Sequence, residues 1–215
     1  MRQKFLILAA LVIAVPALAE DHPLPRPKNG VAVEYRASGM PQGPASGPDS
    51  VVTIRFAGKS NRIRIEGSAS HQYVILEPDA GRMTMVMTDR QTYMEGPADP
   101  AMTAMFEPTN STFRRTGTTT VAGIACTTYD TTINNHDGQV CLTDDGVLLR
   151  AHSTDPDRNR QLEAVKVTYA EQPDSLFEAP AGFQKMDIPG ARRGVTMDPP
   201  AGGPRGSYLG GQYGR

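Results

Sequence analysis

The sequence predicts a mainly β protein of antiparallel strands, and three observations carry that expectation. Apolar residues recur with a period of two along much of the chain. Clusters of turn residues punctuate the pattern at short intervals. Gly and Pro, at 21 and 18 of 215 residues, are too frequent for a helical bundle, because both break helix interiors. Alternation is the mark of a half-buried antiparallel strand with one dry and one wet face. Short strands with regular turns imply a meandering sheet, a sandwich or a barrel. With no Trp and 6% aromatic residues, the core must come from Val, Ile, Leu, Met and Ala. A formal charge of −1 provides no field to recruit nucleic acid or an anionic membrane.

The chain opens on an export signal. Arg2 and Lys4 precede an unbroken apolar run from Phe5 to Val15, Pro16 ends it, and Ala17-Leu18-Ala19 forms an A-x-A cleavage site before Glu20. Eleven apolar residues fall short of the ~20 that a spanning helix needs. The expectation is a signal peptide over 1–19, cleaved after Ala19, and a periplasmic or secreted protein with no stable transmembrane anchor. Residues 20–30, with Pro23, Pro25 and Pro27, read as an extended leader.

The strands follow in order. Val31, Val33 and Tyr35 alternate with Ala32, Glu34 and Arg36, as do Val52, Ile54 and Phe56 with Thr53 and Arg55. Ile63 and Ile65 alternate with Arg62, Arg64 and Glu66, and Val165, Val167 and Tyr169 with Lys166 and Thr168. Turns are expected at 39–48, 58–61, 67–70, 78–81 and 144–146. Ten Thr between 109 and 133 add a further β bias. Asp99-Pro100 opens a short helix with Met102, Met105 and Phe106 on its apolar stripe, and a second helical turn is expected over 157–164. Residues 190–215, rich in Gly and Pro, read as a disordered tail.

Outside the cytoplasm Cys126 and Cys141 are expected to pair. Their geometry depends on the intervening turn. A tip over 134–138 centres near His136 and leaves the cysteines offset, whereas direct opposition needs a centre between Ile133 and Asn134.

A set of local motifs resembles a known family. They read Val121-Ala-Gly-Ile-Ala-Cys126, Tyr129, Val140-Cys141-Leu-Thr-Asp-Asp-Gly-Val147, Leu149-Arg150, and Leu176-Phe177-Glu-Ala-Pro-Ala-Gly-Phe183-Gln-Lys-Met-Asp187. Together they resemble DUF4412, an uncharacterised family of exported bacterial proteins. That family is in turn similar to the periplasmic lipoprotein carriers and receptors of the LolA and LolB type. The resemblance, over residues 31–189, implies a curved antiparallel sheet, a lipoprotein-carrier-like half-barrel closed by one or two short helices over an apolar cavity. It carries over no catalytic residue. Unlike those carriers, this chain opens with Pro-rich extended sequence, so only the segment near 100–107 could serve as a lid.

Met83, Met85 and Met87 share one strand face, with Met94, Met102 and Met105 close behind. Unbranched thioethers adapt to irregular guests, so this face suits a lipid or other apolar ligand. It equally suits an ordinary core in a protein short of aromatics. The ligand-binding set on the first reading is Met83, Met85, Met87, Met102, Met105 and Phe106, with Val52, Ile54, Ile63 and Ile65 on the sheet floor. A third reading is Cu(I), which thioethers favour, with His71 as the nearest imidazole. A two-residue loop at Asp79-Ala80 pairs Leu76 with Met83 and sends His71 to the far face; a three-residue loop pairs Ile75 with Met85 and brings it to the Met side. Asp155-Pro-Asp157-Arg-Asn159 opens like a calcium loop, but Arg160 and Lys166 stand where Gly and a bidentate Glu are needed.

No G-x-S-x-G, H-E-x-x-H, P-loop or dinucleotide glycine pattern occurs, so no catalysis and no cofactor are expected. The functional expectation is an exported, non-enzymatic binding module for an apolar or amphipathic ligand, a lipid or lipidated protein. The alternative is an envelope interaction domain with a packed core, whose partner is another envelope protein.

Overall fold

The computed structural model describes residue 23 and residues 26–39, 50–68, 70–106, 111–133, 135–154 and 160–187. The expected signal peptide, most of the leader, the calcium-like loop and the tail lie outside the described residues.

Two runs of antiparallel strands build the sheet. The first contains β1 (Val31–Ser38), β2 (Ser50–Phe56), β3 (Ile63–Gly67), β4 (Gln72–Glu77), β5 (Arg82–Met87) and β6 (Thr92–Pro97). A short helix, α1 (Pro100–Phe106), follows. The second run holds β7 (Ser111–Val121), β8 (Ile124–Ile133), β9 (His136–Leu142), β10 (Leu148–Ser153) and β11 (Gln161–Tyr169), and β12 (Gln184–Lys185) ends the described chain. All join one open curved sheet in the order β12-β6-β5-β4-β3-β2-β1-β11-β10-β9-β8-β7. Within each run every strand pairs with its sequence neighbour, as short connections favour. The single long-range junction between the runs is β1 against β11.

This topology places the helix. The chain leaves β6 beside one edge of the sheet and re-enters at β7, the opposite edge. Its connection must cross a face, and α1 lies in that connection. Phe106 meets Phe56 edge-on, with ring centroids 6.1 Å apart, and Met102 packs with it against the core. The first helical bond runs from Thr103 N–H to Asp99 O. We call this helix-bearing face inner.

The ladder aligns one apolar row across the inner face: Val33, Ile54, Ile65, Val74, Met85 and Met94 pair in succession. The next row runs Val31, Phe56, Ile63, Leu76 and Met83. Val31, Val33 and Leu76 are wholly buried. On the outer face Tyr73, Ile75 and Val86 are covered by Phe177 and Leu176 from the segment after β11. Arg64 fixes that segment: its guanidinium stacks 3.6 Å above the Tyr73 ring and donates to Leu176 O at 3.0 Å. Arg62 adds an ion pair to Asp174 at 2.5 Å and lies over Phe177.

Several expectations need correction. Along β11, Val165 is not on the dry face. Glu34 pairs with Lys166 and Tyr35 with Ala164, so Val165 is an inserted bulge residue, 41% exposed, and the inward positions are Leu162, Ala164 and Val167. Tyr169, at the strand end, is also exposed. The helical turn expected over 157–164 fails where it is described, because Gln161 to Ala164 are strand; pairing with β1 and β10 overrides the local pattern. One strand pair is parallel: the segment crossing the outer face arrives at β6 running the same way and forms β12.

The structure selects one register for the β4–β5 hairpin. Leu76 pairs with Met83 and Glu77 with Arg82, with a 3-10 turn at Pro78–Ala80 and Gly81 in the left-handed region at φ 57°. Thr88 N–H donates to His71 O at 2.8 Å, which continues the ladder and sets His71 with Tyr73 on the outer face. Cys126 and Cys141 form a disulfide with a Cα separation of 5.5 Å. Ile133 pairs with His136 and Cys141 with Thr128, so the turn centres earlier than His136 and the cysteines are diagonal neighbours.

Candidate functional site

On the inner face a trough opens where the two strand runs meet. Its cavity volume is about 310 Å³, at the small end of the range for ligand pockets of roughly 300–1,000 Å³. The floor is apolar: Ile54 from β2, Val140 and Leu142 from β9, Leu148 and Ala151 from β10, and Leu162 from β11. Phe106 and Met105 of α1 flank it from the lid side. The sequence dictates this floor by strand alternation and ladder register: Leu148 stands opposite Leu142, and Ala151 opposite both Val140 and Leu162.

Both ends carry a guanidinium. Arg26 and Pro27 line one end beside Gly146, held there in part by Lys28 N–H donating to Asp145 O at 3.1 Å. Arg160 lines the other, near Ser153 and Phe113. Leu148 to Ser153 spans five residue steps, so the trough extends ~17 Å along the strands.

Among the described residues that line the trough, Tyr35 is the one polar side chain sunk into the floor, at 1% exposure. Its hydroxyl donates to Leu148 O at 2.7 Å, and burial pushes its ionisation well above the ordinary phenol range. It is therefore a neutral, satisfied donor rather than a reactive group. Among the described residues no three His, Cys, Asp or Glu side chains converge as a metal would require. The trough thus presents an apolar floor between two ends that carry guanidinium groups.

The structure distributes the sequence-derived candidates over the same face but not the same site. Ile54, Met105 and Phe106 line the trough. Val52 and Ile63 are buried in the sheet floor, and Ile65, Met83 and Met102 are half-buried against the core. Met85 and Met87 are half-buried on β5, opposite Met94 and Thr92, and take no part in the trough lining. Met105 is 66% exposed on the lid. His71, on the outer face, cannot complete a copper site with the methionine row. Sequence reasoning missed Tyr35 and the floor from β9 to β11. Their signal was present in the alternation of Val140 with Leu142, but bulges at Leu149 and Val165 interrupt it in the two following strands.

The model of the domain of unknown function DUF4412 matches residues 46–153, which take in β2 to β10. Among curated proteins none matches the chain. Among solved structures, an uncharacterised conserved protein from Thermus thermophilus is similar at 9% identity, with a TM-score of 0.50 over 75% of this chain and 91% of that one. MucB in complex with MucA(peri) is similar at 17% identity and TM-score 0.50, over 76% of this chain and 59% of MucB. The MucA/MucB complex of Pseudomonas aeruginosa gives 16% identity and 0.49, over 74% of this chain and 59% of that one. At these identities the likeness is one of fold. No helix among the described residues is long and apolar enough to cross a membrane.

Proposed function

This chain belongs to the DUF4412 family of domains of unknown function, and from that premise we propose that it is an exported, non-enzymatic binding module that takes an acyl chain or similar apolar ligand into the trough. The observation that carries the reading is the trough itself, an apolar channel on the inner face of a carrier-type curved sheet, with α1 beside it as a lid. A cavity with so apolar a floor has little to offer water, and filling it with hydrocarbon contributes about 25 cal/mol per Å² of apolar surface removed from water. Tyr35, the buried polar side chain in that floor, already gives its hydroxyl proton to Leu148 O and has no donor left for a guest, so contact with the floor is mainly with hydrocarbon.

The test is uptake of a neutral fluorescent probe, N-phenyl-1-naphthylamine, by the purified protein. Ala151→Phe fills the middle of the floor and should abolish the fluorescence rise while circular dichroism stays unchanged; Met105→Glu, on the exposed flank of α1, should weaken it. Met85→Glu, outside the lining, should leave it intact. Uptake unaffected by Ala151→Phe and Met105→Glu contradicts the assignment.

A second reading rests on a different observation. β7 is an edge strand of eleven residues, Ser111–Val121, paired among the described residues only with β8. Such an edge can accept a strand from a protein partner, and MucB, of the same fold, is found in complex with MucA. On this reading the module holds an envelope protein, with or without a guest in the trough.

A further inference from the structure

We propose that the guest is a fatty acid, bound with its carboxylate at Arg160 and its chain running along β10 toward Gly146. This inference rests on the trough being a hydrocarbon site. Three features of Arg160 carry it. The residue lines the end of the trough where the apolar floor gives out, beyond Leu162 and Ala151. Its backbone is tied to that end, because Ser153 N–H donates to Arg160 O at 3.0 Å. And it immediately precedes β11, two residues before Leu162 and four before Ala164, both buried on the inner face, and the Ser153 bond carries the ladder out to it, so its side chain reaches the trough lining on that side.

The ionic partners complete the case. Arg55, Arg62, Arg64, Arg82 and Arg150 each face a carboxylate within 4 Å. Arg160 has no side-chain partner among the described residues, although an Arg fork is built to receive a carboxylate with two parallel N–H donors. Arg26 at the opposite end is already engaged with a partner. Among the described residues the Arg160 end of the trough therefore offers a guanidinium without a carboxylate partner, which favours an amphipathic anion with its head at that end.

Displacement of N-phenyl-1-naphthylamine by dodecanoate and by dodecanol, both below their aggregation limits, tests the idea with the chain length held constant. The native protein should prefer the carboxylate by about fivefold, as suits a charge pair at a solvent-facing rim. Arg160→Gln should erase that preference, weakening dodecanoate more than dodecanol; Arg160→Lys should keep part of it. Equal affinity of the native protein for both ligands overturns the fatty acid assignment and leaves the hydrocarbon trough standing. A preference that persists in Arg160→Gln overturns the role of Arg160. If the native protein binds neither ligand nor probe, the trough reading fails and this inference with it.

Discussion

Tyr35 is where the chemistry of a single residue is most exposed to measurement. A phenol in the floor of an apolar trough keeps its proton because the charged form would lose its hydration. The sign of the pH effect follows from linkage. The folded state holds the proton to higher pH than the unfolded state, whose phenol titrates near 10. The stability from Tyr35 is therefore full below about pH 10 and falls as pH rises above it, by about 1.4 kcal/mol per unit. Near neutral pH, Tyr35→Phe should cost ~1 kcal/mol through the orphaned Leu148 carbonyl. By about pH 11 the gap between native protein and variant in urea denaturation should shrink or reverse. A gap independent of pH would contradict the burial of the hydroxyl. The sequence identified Tyr35 as an inward strand residue by alternation; that it meets Leu148, 113 positions away, is a product of the β1–β11 junction and has no local signal.

At the scale of the element, bulges decide what alternation can and cannot tell. β1, β2 and β3 keep strict parity, and their inward residues Val31, Val33, Val52, Ile54 and Ile63 were all legible as such. β11 does not keep it. Val165 is squeezed out of the ladder between Ala164 and Lys166, so a residue that reads as core faces solvent. Val165→Asp should therefore change stability by no more than about 0.5 kcal/mol, whereas Val167→Asp, opposite the wholly buried Val33, should cost ~2 kcal/mol or more. Equal costs in thermal or urea unfolding would restore unbroken alternation. The helix expected over 157–164 fails for a related reason. Its residues after 160 satisfy their backbone groups in two ladders, and tertiary pairing outweighs a propensity worth a few tenths of a kcal/mol per residue. The α1 segment succeeded because Asp99-Pro100 and the Met102, Met105, Phe106 stripe specify a helix locally.

For the molecule as a whole, the sequence put the methionines on one face of the sheet and the topology opens the trough elsewhere on that face. The methionines of β5 do lie on the inner face, as their spacing of two requires. The trough, however, opens several strands away, where β1 and β2 meet β9, β10 and β11. No local pattern reveals that junction, since it depends on β11 returning to pair with β1. The same return sends the following segment across the outer face, where Arg62 and Arg64 hold it, away from the trough. Native mass spectrometry of the protein purified from its own cells, repeated after denaturation, tests this most directly. The expected result is an excess mass of one acyl ligand that disappears on denaturation, or that emerges after incubation with dodecanoate. A bare mass in both states, unchanged by excess dodecanoate, would contradict it.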